Sequence, residues 1–441
     1  MHHFHYKNND LYCEEVLVSR IAEEVDTPFY LYSYATLLQH FRVFDHAFDG
    51  IRHLTCYSVK ANSNLAVLRL FALEGGGVDI VSGGELYRAL KAGVKPGKIV
   101  YSGVGKQVAH LEYAIESGIL MFNVESAQEI LKLDKAASRI GKRAKVAIRV
   151  NPDVDPKTHP YISTGLKENK FGIDINDAPE QYRMAARMKN LEVSGVSCHI
   201  GSQLTQVEPF VAALGKVKEL IRNLEEAGIR IDYLDLGGGL GIPYEREEPP
   251  HPSEYAGAIR AELGTADLTL ILEPGRVITG NGGILVTRVL YTKPTREKLF
   301  VIVDAAMNDL ARPSLYNSYH RIQPVKSPGG RERVKADIVG PICESGDFFA
   351  KKREVDAFEA GELMAIMSAG AYGFSMSSNY NSRPRPCEVL VKGDRYYVIR
   401  ERETFEDLVK GEVIPDFLMG DRYGNDRILE DERKRKRFHR D

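Results

Sequence analysis

Cysteine is scarce in this sequence. The five present, Cys13, Cys56, Cys198, Cys343 and Cys387, are odd in number, widely scattered and never in CxxC spacing. That argues against a disulfide framework or a cysteine-built zinc site and points to a reducing cytoplasm. His2, His3 and His5 read as a polar terminus, so no metal site is signalled. Long apolar runs are missing too. The longest, such as 268–272, fall far short of a membrane span, and the chain start has no apolar stretch long enough for a signal peptide. Neither charge dominates: 59 Lys plus Arg face 61 Asp plus Glu, for a formal net charge of -2. Nothing in that balance suggests nucleic acid or a membrane surface as partner. Nucleotide signatures also fail. The glycine run 237–241 has Ile242 where the last glycine of GxGxxG should fall, and no Gly-Lys pair is followed by Ser or Thr.

What is there is ordinary globular composition, 43% hydrophobic and 27% charged over 441 residues, which excludes disorder and fibrous classes and suits two domains. Between about residues 50 and 275 one theme repeats: a short apolar run, a turn rich in Gly, Ser or Asn, then a stretch with helical spacing. The runs are 54–59, 78–81, 99–101, 120–124, 146–150, 193–200, 233–236 and 268–272, with helical stretches at 65–73, 85–92, 128–140 and 210–227 among those between them. Eight βα units predict an α/β fold, a parallel (β/α)8 barrel of the TIM type. From about 282 the rhythm becomes β-rich, with runs at 284–291, 299–304, 336–339, 363–367, 388–391 and 396–400. This predicts a C-terminal all-β domain, barrel-like or sandwich-like. Strand-like runs at 15–18 and 29–32 are expected to join it. The division expected is a segment 1–34 packing with the β-domain, a barrel over 35–280, a β-domain over 281–422 that completes the active site, and a charged tail over 423–441.

In a parallel barrel, catalytic groups sit where strands end. The first run ends in Tyr57-Ser58-Val59-Lys60, the sixth in His199-Ile200-Gly201-Ser202, the seventh in Gly237-Gly238-Gly239 and the eighth in Glu273-Pro274-Gly275-Arg276. Taken singly, each has a bland reading: a solvated lysine, a tight turn. Together they supply an amine, an imidazole, a glycine nest suited to phosphate, and a carboxylate beside an arginine. A phosphorylated cofactor that reacts with a lysine amine suggests pyridoxal 5'-phosphate, with Glu273 as the acidic partner of its ring nitrogen.

Longer stretches carry a resemblance: YSVKAN at 57–62, HIGSQ at 199–203, LGGGLGIPY at 236–244, EPGR at 273–276, VDAAMNDLARPSLY at 303–316, CESGD at 343–347 and SAGAYGFSMSSNYNSRPRP at 368–386. With these the chain resembles the diaminopimelate decarboxylase family, of the alanine-racemase-like, fold-type III group of pyridoxal-phosphate enzymes. The resemblance spans nearly the whole chain. It implies decarboxylation of meso-2,6-diaminopimelate to L-lysine, the last step of lysine synthesis, with Lys60 as Schiff-base lysine, His199 against the cofactor ring and Glu273 at the ring nitrogen. Ser202, Gly237, Gly238, Gly239, the backbone at Gly275 and Arg276, and Tyr372 would hold the phosphate. Arg276, Arg312, Tyr316, Glu344 and Tyr372 would bind substrate, guanidinium forks suiting its distal carboxylate and Glu344 its distal ammonium. Cys343 would be the proton donor, supplied across the interface of a homodimer with shared active sites. A lone cysteine is most often a small buried hydrophobe, but Gly340-Pro341 before it and Glu344 and Asp347 after it suit a loop.

Departures from the family pattern are Ser58 for alanine, Ala306 for glycine, and Gly283 where the family more often ends in Ala-Gly; none falls on an assigned catalytic side chain. Two other readings stay open on the residues: decarboxylation of ornithine, lysine or arginine on the same scaffold, and a non-catalytic homologue.

Overall fold

The structure is a computed structural model that describes residues 2–155, 170–327 and 329–418. Residues Met1–Arg402 form one compact unit. At its centre eight parallel strands close on themselves: His53–Ser58, Gly77–Ile80, Ile99–Tyr101, Met121–Val124, Ala144–Asn151, Leu191–Cys198, Tyr233–Asp235 and Thr269–Leu272. Each pairs with the next in parallel, and Leu270–Leu272 pair back with His53–Thr55 to shut the barrel. Every strand was anticipated, with ends displaced by one or two residues. The four expected helices are present as Leu65–Leu73, Gly83–Lys91, Ala127–Ile140 and Glu208–Glu226. Serine caps begin two of them: Ser82 and Ser126 accept from the backbone N–H of Glu85 and Glu129, satisfying donors that a helix start leaves open.

The barrel interior is layered. Cys56, Val100, Met121, Ala147 and Ile271 form a small apolar cluster inside it. Two residues further along come Ser58, Ser102, Asn123, Arg149 and Glu273, all buried. Because side chains alternate faces along a strand, these polar residues share the interior with the apolar ones and lie one layer nearer the strands' C-terminal end. A dry floor thus sits beneath a polar one.

The β-domain is a mixed sheet in the order Phe348–Asp356, Arg333–Val339, Leu299–Val303, Gly283–Pro294, Phe29–Ser33, Cys387–Lys392, Arg395–Arg400, with Leu363–Ile366 also paired to the Gly283–Pro294 strand and Ile322–Pro324 paired in turn to Leu363–Ile366. Phe29–Ser33, from the start of the chain, lies in the middle, antiparallel to Gly283–Val286 and parallel to Cys387–Val391. The other early run is mostly not strand: only Val16–Leu17 pair, in a small antiparallel sheet with Phe4–Lys7 and Asp10–Cys13, and Val18–Val25 is a helix burying Val18, Ile21 and Ala22. That spacing of three and four is helical, and it outweighs the β-branched residues at the run's start. The barrel and sheet are joined at Glu388, fully buried, which accepts from Tyr32 Oη (2.8 Å), Asn64 Nδ2 (2.8 Å) and Arg400 Nε (2.5 Å).

From Glu403 the chain forms a second unit, in which a capping box between Thr404 and Asp407 starts the short helix Phe405–Leu408. The charged tail 423–441 lies outside the described residues. Among the described residues no helix is long and apolar enough to cross a membrane.

Candidate active site

At the C-terminal mouth of the barrel lies a cavity of about 370 Å³ lined by Lys60, His199, Ser202, Arg276, Arg312, Tyr316 and Tyr372 among others. Larger hollows of about 680 and 500 Å³ occur elsewhere, but no residue singled out from the sequence lines them. Seven of the expected site residues therefore line one cavity, and Glu273 joins the polar floor of the barrel through its hydrogen bonds.

Lys60 is set by a short 3-10 turn, Val59–Ala61, that follows the first barrel strand directly. Its Nζ lies 2.7 Å from Asp79 Oδ2, and Asp79 is fully buried. Burial opposes the lysine's charge, but the Asp79 and Glu273 carboxylates outweigh it and hold the amine above its ordinary value. The Ser58 hydroxyl lies 2.9 Å from the Glu273 carbonyl oxygen and 3.2 Å from Asp79 Oδ2, so the departure at Ser58 adds one hydroxyl proton between the eighth strand's end and the lysine's partner.

Beneath the cavity Asn123 Nδ2 is 2.7 Å from Asp235 Oδ2 and 3.0 Å from Ser102 Oγ, and Ser102 Oγ is 3.3 Å from Glu273 Oε1. Burial raises the Glu273 carboxyl well above its ordinary value, and nearby Asp235 and Asp79 raise it further. Asp235 is pushed up to about 6, again chiefly by burial. Burial thus favours a proton on this carboxyl pair over ionisation of both.

His199 receives the Gly238 N–H at Nδ1, 3.2 Å away. Burial, then Arg149 and Lys60, hold the imidazole far below its ordinary value, so the ring is neutral. The glycine run is tighter than a simple nest. Gly237 donates its N–H to Asp235 Oδ1 at 2.9 Å, and Gly238 is spent on His199, which leaves the Gly239 N–H of the three for an anion. A Cβ at Gly238 would come within 2.2 Å of the Glu273 carbonyl oxygen, and one at Gly237 within 2.6 Å of His199 Nδ1. Gly275 is likewise hemmed in, by Ala61 and Ser58 at 3.0 and 3.1 Å.

The far wall comes from the β-domain. Arg312 and Tyr316 stand four apart on the one-turn helix Arg312–Tyr316, so they share a face, and Asn317 in the left-handed region ends it. Tyr372 also sits in the left-handed region (φ 55°), tied by its N–H to the Ala61 carbonyl at 2.8 Å, a strained residue held by the lysine loop itself. Arg276 donates to Tyr244 Oη (2.7 Å) and Ser202 Oγ (3.0 Å) and lies over the Tyr372 ring. Arg312 lies over the Tyr244 ring at 4.5 Å.

Cys343 and Glu344 are not part of this cavity. Both are exposed, on a loop that Asp347 ties by accepting from Ile342 N (2.7 Å) and Met307 N (2.8 Å). Of the five cysteines Cys343 alone is exposed.

Sequence reasoning missed Asp79, Asn123, Arg149 and Asp235. The signal was available for three of them: Asp79 and Asn123 are single polar residues inside the apolar strands Gly77–Ile80 and Met121–Val124, and Asp235 ends Tyr233–Asp235, whereas Arg149 shares Ala144–Asn151 with Lys145 and Asn151. Tyr244 and His320 left no such mark.

An amine at a strand end, a neutral imidazole, buried carboxyls on the floor and guanidinium groups on the wall define a site for a pyridoxal-type cofactor, and the residues present fit it: Asp79 Oδ1 and Arg276 Nε are buried without a hydrogen-bond partner. The family model for the pyridoxal binding domain of pyridoxal-dependent decarboxylases matches residues 34–280. The diaminopimelate decarboxylase of Pseudomonas aeruginosa is 53% identical over 411 residues, covering 93% of this chain and 99% of that one. Among solved structures, the Helicobacter pylori diaminopimelate decarboxylase complexed with L-lysine has a TM-score of 0.86 at 46% identity, covering 89% of this chain and 98% of that one. The M. jannaschii enzyme in co-complex with L-lysine has a TM-score of 0.90 at 40% identity, covering 94% and 98%. The chain belongs to the diaminopimelate decarboxylase family of pyridoxal-dependent decarboxylases.

Proposed function

We propose that this chain removes one carboxylate of meso-2,6-diaminopimelate to give L-lysine and carbon dioxide, using the side chains just described. Its relatives' names and their lysine complexes support the substrate. The observation that carries the reading is one cavity lined both by Lys60 and by two buried guanidinium groups, Arg276 and Arg312. Ornithine, lysine or arginine as substrate has no second carboxylate and leaves that pair without an anion.

The cofactor is pyridoxal 5'-phosphate, which when bound supplies the electron sink for loss of the carboxylate. Lys60 would hold it, His199 would face its ring, Glu273 its ring nitrogen, and Ser202, Gly239, the backbone at Gly275 and Arg276, and Tyr372 its phosphate. Burial and the neighbouring Asp235 favour a proton on Glu273, and a positively charged ring nitrogen beside it would draw Glu273 toward its anionic form. His199, neutral, adds no positive charge to that face. Arg276, Arg312, Tyr316 and Tyr372 orient the substrate by its other amino-acid centre, so that only one end reaches Lys60.

Cys343 and Glu344, exposed on this chain, fit presentation to the cavity of a second copy, with Cys343 giving the proton that replaces the lost carboxylate and Glu344 holding the distal ammonium. The enzyme is then a homodimer with shared sites. Four buried unpaired cysteines support a cytoplasmic setting.

The test is lysine and carbon dioxide release from meso-diaminopimelate with ornithine, lysine and arginine in parallel; turnover only of another amino acid would overturn the substrate assignment. Mixing inactive Lys60→Ala with inactive Cys343→Ala protein should restore activity if sites are shared, and failure to do so would refute the shared site.

A further inference from the structure

His320 is fully buried between the Arg312–Tyr316 helix and the strand Ile322–Pro324. Its Nδ1 lies 2.8 Å from the Met367 carbonyl oxygen. A carbonyl only accepts, so Nδ1 carries the proton. Its Nε2 lies 3.0 Å from Arg312 Nη1, which only donates. Both contacts demand the same neutral tautomer. The charged and titratable groups around the ring are Arg312, Arg353, whose Nη1 donates to the His320 carbonyl at 2.6 Å, Arg276, and Tyr244 packed edge-on at 5.4 Å. Protonating the imidazole would cost its burial and set it against three guanidinium groups; burial first, then Arg312, push its pKa down to about 3.

The consequence falls on Arg312. Among the described residues no carboxylate pairs with it; the Tyr244 face and the His320 lone pair hold it instead. A carboxylate in the place of His320 would fix the guanidinium equally well but would neutralise it. We propose that His320 is a positioning residue for carboxylate recognition, fixing Arg312 through a neutral acceptor so that its positive charge is left for the second carboxylate of the substrate. This rests on the reading of Arg312 as the group that binds that carboxylate.

The experiment compares the affinities of holoenzyme for L-lysine and for 1,5-diaminopentane, which is lysine without its carboxylate, by calorimetry. His320→Asn keeps a donor for Met367 and loses the acceptor for Arg312. It should weaken L-lysine about tenfold, the scale of one hydrogen bond to a charged group, and leave 1,5-diaminopentane unchanged. In turnover the loss should fall on KM more than on kcat. His320→Gln, whose amide oxygen reaches toward the Nε2 position, should recover much of the loss. Equal weakening of both ligands, or of neither, overturns the proposal. Arg312→Ala separates the two ideas: if it fails to discriminate the ligands, the reading of Arg312 falls, whereas discrimination there with none in His320→Asn removes only the role of His320. Should the Asn variant not fold, imidazole 15N shifts of wild-type holoenzyme decide. Nε2 should stay unprotonated from about pH 9 down to about pH 5, where an ordinary histidine would already be mostly charged; a protonated Nε2 refutes the proposal.

Discussion

The two walls of the cavity are built on opposite electrostatic plans. The barrel side collects buried carboxyls, Asp79, Asp235 and Glu273, on a floor cross-linked by Ser58, Ser102 and Asn123. The β-domain side places Arg312 near Arg276, with aromatic faces rather than carboxylates against them. Neither wall is neutral by itself, and burying like charges is costly. A ligand with cationic nitrogen toward the barrel and anionic groups toward the arginines would offset both, so the imbalance itself describes the ligand.

The difference can be broken from either side. The largest effect is expected on the barrel side: Lys60→Ala should lower turnover by more than about a thousandfold, as loss of a covalent-catalysis group does, measured as carbon dioxide release; retained turnover would remove Lys60 from the chemistry. On the other wall Arg312→Ala should lower kcat/KM for diaminopimelate about a hundredfold, the scale of deleting one partner of a buried charge contact. Kinetics showing an unchanged value would place the carboxylate elsewhere.

The shared proton on the barrel floor is tested by pH. Asp235 has a folded value near 6 against an ordinary 3.8, so the folded chain keeps a proton that the unfolded chain releases. The stability associated with that proton is present below about 4 and is lost as pH rises through about 6. Asp235→Asn should remove this dependence, worth roughly 1–3 kcal/mol, in denaturant unfolding of cofactor-free protein across that window. A wild type and variant that run parallel would show that Asp235 is ionised throughout.

Two smaller effects sharpen the contrast. Gly238→Ala, with 2.2 Å to the Glu273 carbonyl, should cost about 1–3 kcal/mol and loosen the cofactor; an unchanged thermal midpoint would mean the run can shift. Asn64→Ala removes both the cap on the Leu65–Leu73 helix and the bond to Glu388 that ties the barrel to the sheet. The expected loss is about 1–2 kcal/mol, read by thermal unfolding, with little change in kcat.

The barrel wall was legible because its groups follow strands. Lys60, His199, Gly237 and Glu273 each come directly after an apolar run, and in a parallel barrel that position alone sends them to one end. The polar floor is readable in part, as the lone polar residues Asp79 and Asn123 inside apolar strands; Arg149, in a strand with Lys145 and Asn151, carries no such mark. The far wall follows no such rule. Arg312, Tyr316 and Tyr372 lie in turns of the β-domain, and only the resemblance to a family marked them.

By itself, then, the sequence determined the eight strands, their order and the identity of the groups at their ends, because period-2 and helical spacing are local and the barrel rule is general. Only the tertiary structure decided that Phe29–Ser33, expected from the sequence to join the β-domain, takes a place in the middle of its sheet, that the first two glycine N–H groups are spent on Asp235 and His199, and that His320 lends Arg312 a neutral acceptor. Those facts join residues far apart in the chain or without a periodic pattern. They depend on which surfaces meet, and no local spacing encodes that.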